Sequence, residues 1–308
     1  MAYFFILSDK RIVGVMWFAF ALLGAMIYAF RGILEKRIIH DINPYILGFG
    51  IRLYALPFFV LPFIFAPQLW IPFDQLPMSF WLVSLIVALI TTPIETYFYY
   101  RALKQDDVSL TIPVLTLRPI FATAFTILLL HDYPSLLGLL GIIVIFLGVY
   151  SLKISHVRNG ALEPIRQLAI NPAVRMMVIV AFSQGLSDIL DKVGVVNANA
   201  YMYSLVNYVF LCISLGAFAV VKARKSMNQL HENSGALLII GLVVASYTIL
   251  SMLALETGNP AYVSAIKSSS VLFTIILGTW LLKESDKKSK LFAALLMVIG
   301  LVLIRVCG

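Results

Sequence analysis

The chain has 308 residues, 61% of them hydrophobic and only 12% charged, and carries a net charge of +8. An ordinary soluble domain is about 45–50% apolar and about 25% charged, and a water-soluble fold of this length cannot hide such an apolar excess, so the excess must face a lipid bilayer. The positive charge does not point to nucleic acid, and no such partner is expected: the basic residues sit singly or in short clusters between long apolar runs, as residues at membrane borders do.

In chain order, the first apolar stretch, 3–7, is too short for a cleavable signal, and Asp9-Lys10-Arg11 follows it. The run beginning at Ile12 is therefore expected to be a retained first span. Ten apolar segments suit membrane helices: 12–33, 43–66, 79–103, 107–130, 135–153, 173–193, 199–222, 235–256, 260–282 and 289–306. They are continuous rather than alternating and too long for barrel strands. Asn43-Pro44, Pro134-Ser135, Asn171-Pro172 and Asn259-Pro260 stand before apolar runs, where a proline fits the first helical turn. Pro57, Pro62, Pro93, Pro113 and Pro119 fall within spans and mark candidate kinks. The longest polar stretch, 155–171, contains Asn159-Gly160 and Glu163-Pro164 and reads as a linker.

The chain repeats itself. Ile33-Leu34-Glu35-Lys36 recurs as Ile189-Leu190-Asp191-Lys192, and Asn43-Pro44-Tyr45 as Asn199-Ala200-Tyr201, both at an offset of 156. Further on the offset is 152: Ala102-Leu103 matches Ala254-Leu255, Leu129-Leu130-His131-Asp132 matches Leu281-Leu282-Lys283-Glu284, and Phe121, Leu139 and Gly148 match Phe273, Leu291 and Gly300. The expected organisation is a first five-helix unit over 1–154, a linker over 155–172 and a second unit over 173–308. A unit with an odd number of helices must enter the membrane inverted in its second copy, which places a site between the copies near the bilayer midplane. The expected fold is an all-α membrane protein with ten transmembrane helices as an inverted 5+5 repeat.

Ala102-Leu103, Arg118-Pro119-Ile120-Phe121, Leu130-His131-Asp132 and Gly138 with Gly148, paired with Ala254-Leu255, Ser270 with Phe273, Leu282-Lys283-Glu284 and Gly300, form a recognisable set. With Trp17 and Arg52, it resembles the drug/metabolite transporter superfamily, in particular proteins with two EamA-type repeats. The resemblance covers nearly the whole chain and implies transport without naming the cargo. Two departures stand out: His131 precedes Asp132, and the second copy has Val271 where the first has Pro119.

An ionisable group inside a bilayer costs about 2.5–3.5 kcal/mol on insertion scales, so such residues are functional candidates. They are Arg31, Arg52, Glu95, Arg118, Asp188 and Lys267. Arg118 shares a face with Thr111, and Ser264, Lys267, Ser268, Val271 and Thr274 form a stripe at helical spacing. If the fourth and ninth helices face one another as symmetry mates, Arg118 and Lys267 approach one cavity and cradle a carboxylate or phosphate. The resemblance points the same way, because basic residues on these helices bind the anion in related sugar-phosphate carriers. The bland alternative is an internal ion pair with Glu95 or Asp188.

Glu95, with Tyr99 one turn on and Tyr247 as its repeat mate, suits an amine or a coupling proton. Gln184, Asp188 and Asp191 share a face. Ion pairs are expected for Asp188 with Lys192 and for Arg31 with Glu35 at i,i+4 spacing. Arg52, whose mate is Tyr208, is expected to be structural. The candidate substrate-binding set is Arg118, Lys267, Glu95, Tyr99, Gln184, Ser268, Tyr208 and Tyr247.

Enzyme chemistry finds no support. His40, His131, His156 and His231 lack zinc spacing, Cys212 and Cys307 lie in apolar runs, and Gly48-Phe49-Gly50 is no phosphate loop. No catalytic residue, metal or cofactor is expected, and no ATP-driven step. Basic residues concentrate in the loops after odd-numbered helices, which places both termini outside by the positive-inside rule, whereas the resemblance places them in the cytoplasm. The sequence reads as a secondary-active, alternating-access transporter of a small polar metabolite in the plasma membrane. An amino acid or other anionic or zwitterionic compound leads as cargo. The alternatives are a cationic amine held by Glu95 and an aromatic cage, and a membrane-embedded lipid-processing enzyme.

Overall fold

Asparagine side chains start four of the helices. Asn43, Asn171, Asn199 and Asn259 accept hydrogen bonds from the backbone N–H groups of Tyr45, Ala173, Tyr201 and Ala261 at 2.8–3.0 Å. Each bond satisfies one of the donors that a helix start leaves unpaired. Proline at the next position, in three of the four, gives up an N–H that would have had no partner.

A computed structural model of the chain describes residues 10–38, 41–105, 112–154, 171–273 and 287–307. The helices are α1 (Lys10–Ile38), α2 (Pro44–Phe65), α3 (Met78–Ile86, a π turn Val87–Thr91, then Thr92–Gln105), α4 (a 3-10 stretch Ile112–Leu117, then Arg118–Leu130), α5 (Leu136–Ile154), α6 (Pro172–Val196), α7 (Ala200–Ala223), α8 (Ser234–Thr257), α9 (Pro260–Ser268, resuming at Ser270 after a turn) and α10 (Lys287–Cys307). Each of the ten expected spans contains helix among the described residues, and no strand occurs among them. The first residues of the fourth expected span, 107–111, the last part of the ninth, after Phe273, and the linker 155–170 lie outside the described residues. The first helix runs on to Ile38, beyond the expected end at 33, because no breaker intervenes before Asn43-Pro44 and the Arg31–Glu35 pair stabilises the extra turn.

Packing follows the repeat. Helix α1 lies on α8 and α9, and its counterpart α6 lies on α3 and α4. Helices α2 and α7, α4 and α9, and α5 and α10 each pack on their own mates. These pairings obey one pseudo-twofold operation, and the described residues form an all-α, ten-helix 5+5 inverted repeat. Large apolar side chains cover the outer faces, among them Phe65, Leu128, Leu136, Ile213 and Val221, as lipid-facing helices require.

The α5–α10 contact is a seam of backbone on backbone. A Cβ added at Gly141 would lie 2.9 Å from the Gly300 carbonyl oxygen, and one at Gly300 would lie 2.7 Å from the Gly141 oxygen. Small residues let membrane helices approach this closely, and dispersion then holds them where no hydrophobic effect acts between helices in lipid. Gly300→Leu is expected to destabilise the protein by about 2–3 kcal/mol through overpacking, while Gly32→Ala, whose Cβ would meet nothing within 4 Å, stays within about 0.5 kcal/mol. Unfolding midpoints of the two variants in one detergent check this.

Candidate functional site

Three helices lose regular α-helical bonding where they approach the centre. In α3 a π turn, Val87–Thr91, sits just before Pro93. The proline lacks the N–H that continues the ladder, and π turns gather at such points and at functional sites. In α4 the 3-10 stretch ends at Leu117 and α-helical bonding begins at Arg118. In α9 a turn at Ser269 interrupts the helix, and the Ser269 hydroxyl donates to the Ile266 carbonyl at 2.6 Å. Leu117 and Ser269 are equivalent under the repeat offset of 152, so the mates α4 and α9 break register at the same place.

Asp188 of α6 meets both cations at that level. Its Oδ2 accepts from Arg118 Nε at 2.9 Å, and its Oδ1 accepts from Arg118 Nη2 at 2.6 Å and from Lys267 Nζ at 2.9 Å. The Asp188 side chain is fully buried, Lys267 is 5% exposed and Arg118 15%. A forked guanidinium–carboxylate pair is among the strongest polar contacts a protein makes. Gly185, one turn before Asp188, permits it: a Cβ there would lie 2.9 Å from the Ala122 backbone nitrogen, so α6 can reach α4 only without a side chain at this point.

Around this bridge the other polar groups arrange in pairs. Glu95 Oε1 accepts from Ser187 Oγ at 2.9 Å, and that hydroxyl also lies 2.7 Å from Thr91 Oγ1 in the π turn. Ser183 Oγ donates to the Thr91 carbonyl at 3.2 Å, so α6 supplies donors where α3 is irregular. The Tyr247 ring lies 5.8 Å from Lys267 Nζ and 4.8 Å from the Tyr28 ring, and Tyr28 in turn carries Arg31 at 5.3 Å. Arg31 pairs with Glu35 at 2.7 Å as expected. Asp191 accepts from the Tyr203 hydroxyl at 2.7 Å.

Arg118 and Lys267 therefore do converge, and their shared partner is Asp188, the internal pairing that the sequence left open. Glu95 bonds Ser187 rather than Arg118, which stands within electrostatic reach of it. The expected Asp188–Lys192 pair does not form. Lys192 Nζ instead donates to the carbonyls of Leu255, Glu256 and Gly258 at 2.7–3.3 Å. Carbonyls at the end of α8 lack intrahelical donors and attract a cation more cheaply than a carboxylate already held by two others. Tyr247 stands beside Lys267, and Tyr99 makes an edge contact with Tyr100. Gln184 lies one turn before Asp188, half-buried. Ser268 Oγ is turned back onto the Ser264 carbonyl at 3.1 Å. Tyr208 packs on Phe59 and bonds Thr248 at 2.9 Å, while Arg52, its repeat mate, donates to the Gly48 carbonyl at 3.3 Å. Thr111 and Thr274 lie outside the described residues.

The sequence reading missed Ser187, Thr91 and Tyr28 as members of this centre. Tyr28 was findable at three residues before Arg31. Among the described residues no His, Cys, Asp and Glu side chains gather in a metal-binding group. A cavity of about 540 Å³ on the flank of α1 and α8, lined by Met26, Ile27, Phe30, Leu242 and Phe273, is apolar and apart from the charged groups.

At one end of the bundle the halves are latched. Asn259 Nδ2 donates to Asp132 Oδ2 at 2.8 Å, the Ser135 backbone N–H donates to the Tyr262 hydroxyl at 2.8 Å, and Tyr262 stacks on Trp17. A cavity of about 350 Å³ lies beside these residues.

The sequence profile of the EamA-like transporter family matches this chain twice, over residues 15–153 and 171–306. A relative named as an uncharacterized transporter of Archaeoglobus fulgidus is 24% identical over 270 residues, which cover 86% of this chain and 88% of that one. A protein of known crystal structure superposes with a TM-score of 0.69 at 14% identity, over 96% of both chains, a likeness of fold.

Removing Asp188 leaves two buried cations without a partner. Asp188→Ala is expected to cost about 3–5 kcal/mol, several times the effect of Tyr208→Phe, which removes one neutral hydrogen bond worth about 1 kcal/mol. Thermal unfolding in detergent ranks the two.

Proposed function

Because the chain belongs to the EamA-like transporter family, a family of membrane transporters and not of enzymes, we propose that it is a secondary-active carrier of a small amino acid or similar zwitterionic metabolite, working by alternating access in the plasma membrane. One observation carries this reading: Arg118 and Lys267 outnumber their common counter-ion Asp188 two to one. The triad thus keeps a positive charge for an anionic group on the cargo, at the level where both halves meet. The Arg118 fork matches a carboxylate in two bonds, and Lys267 adds a compact point charge.

Glu95 supplies the opposite sign. It is held by a neutral hydroxyl, Ser187, so its charge is not cancelled by a direct ion pair, and it can take the cargo's ammonium group or a coupling proton. Tyr99, Tyr247 and Gln184 give the cargo aromatic and amide surface between these poles, and Ser268 and Tyr208 border it. Rocking of one half on the other would open the site to each side in turn. The cationic-amine reading stands second because the Tyr247 ring, an aromatic surface such a cage would use, already faces the Lys267 ammonium, and a second cation there is repelled.

Lys267→Ala is expected to weaken binding of carboxylate-bearing cargo at least about thirtyfold, and Glu95→Gln to weaken amine-bearing cargo while sparing compounds that lack the amine. Uptake into proteoliposomes, with amino acids, acidic metabolites and choline-like amines as competitors, reads both. Competition by choline-like compounds alone would replace this reading with the cationic one, and unchanged transport of every carried compound by Lys267→Ala would remove the triad from the site.

A further inference from the structure

The Asp188 bridge has a geometry that a simple structural ion pair does not need. One oxygen, Oδ1, is shared by Arg118 and Lys267 at 2.6 and 2.9 Å, while the second, Oδ2, is given to Arg118 alone. If another carboxylate takes the Arg118 fork, Asp188 keeps Lys267 and is never left unpaired inside the membrane. If that carboxylate leaves, Asp188 closes on Arg118 again. Arg118 belongs to the first half, and Asp188 and Lys267 to the second, so this exchange of partners happens across the surface along which the halves must move.

We propose that Asp188 is a tethered stand-in for the cargo's carboxylate, and that it makes this protein a net carrier rather than an obligatory exchanger. The inference rests on the carboxylate-bearing cargo proposed above. A carrier performs net transport only when its cargo-free form can also change sides. A buried cation without a partner opposes that passage, because desolvation is not repaid. A carrier whose two cations depended on cargo for their counter-ion would cross only when loaded, and would therefore swap one molecule for another. Here each cation keeps its bond to Asp188 when the cargo is gone, so the cargo-free form crosses with neither cation unpartnered and with one net positive charge instead of two. The cargo competes for Arg118 with a carboxylate that is always present. The fork is then won by ligands that bring a further favourable contact, such as an ammonium group toward Glu95, and not by a carboxylate alone.

The test uses the full-length protein in proteoliposomes loaded with a radiolabelled mixture of amino acids. The wild type should release label into amino-acid-free buffer within about threefold of its rate into buffer holding the unlabelled mixture. Asp188→Asn should lose release into amino-acid-free buffer at least about tenfold and regain it when the unlabelled mixture is added outside. Asp188→Glu, which keeps the carboxylate, should behave as the wild type. Release by the wild type only in exchange, or unaltered release by Asp188→Asn into amino-acid-free buffer, would overturn the inference and leave amino-acid transport standing. If no amino acid moves under any condition, the cargo reading fails, and a second arm decides on Asp188. Acetate at tens of millimolar should raise the unfolding temperature of Asp188→Asn and leave the wild type unchanged. No effect of acetate on Asp188→Asn would show that the cradle takes no free carboxylate, and the stand-in role falls.

Discussion

A carboxylate with two cations, enclosed by helices inside a bilayer, is the constraint around which the centre of this protein is organised. Each charge alone would be expensive there; the carboxylate is held by both cations, and each cation is tolerable because the shared carboxylate replaces the water it lost. The arrangement fixes three helices at once. Helix α6 must approach α4 to within the thickness of a glycine, at Gly185, and α9 must present Lys267 from the other side. Ser183 and Ser187 flank the bridge on the same helix and supply the donors that the irregular turn of α3 requires. Glu95 is positioned through them. Removing Asp188 would therefore loosen the neighbouring contacts as well as the pair itself.

The fold is duplicated, and the chemistry is not. Helices α4 and α9 change their hydrogen bonding at equivalent points, and the pairings of the ten helices obey the same operation throughout. Yet Arg118 is equivalent to Ser270, Lys267 to Leu115, and Glu95 to Tyr247. Duplication supplies equivalent helices, α4 and α9, on either side of the charged centre. Divergence has placed one cation on each of these helices and the carboxylate Glu95 in the first half alone, the asymmetry on which the proposed zwitterionic cargo rests.

Much of this was legible in the sequence, for identifiable reasons. Span positions follow from apolar run length, and Asn-Pro pairs marked helix starts because cap and first-turn chemistry are local. The repeat gave the facing of α4 and α9, hence the convergence of Arg118 and Lys267. Asp188 was harder. The spacing rule within a helix favoured Lys192, four residues on, and local rules carry no information about the carbonyls of α8 that draw Lys192 away. The dependence of Glu95 on Ser187 was invisible for the same reason: both side chains are ordinary in their own helices, and only the packing of α3 on α6 brings them within 2.9 Å. Local chemistry was readable, and the choice among competing partners was made by tertiary packing.

The glycine seam between α5 and α10 carries a mechanical consequence. At Gly141 and Gly300 each backbone meets the other's carbonyl oxygen, with Ile145 and Ile304 packed alongside, so sliding one helix past the other would drive these atoms into collision. If the halves rock on one another as proposed above, this seam is the part of their boundary least able to slide, and displacement would grow with distance from α5 and α10.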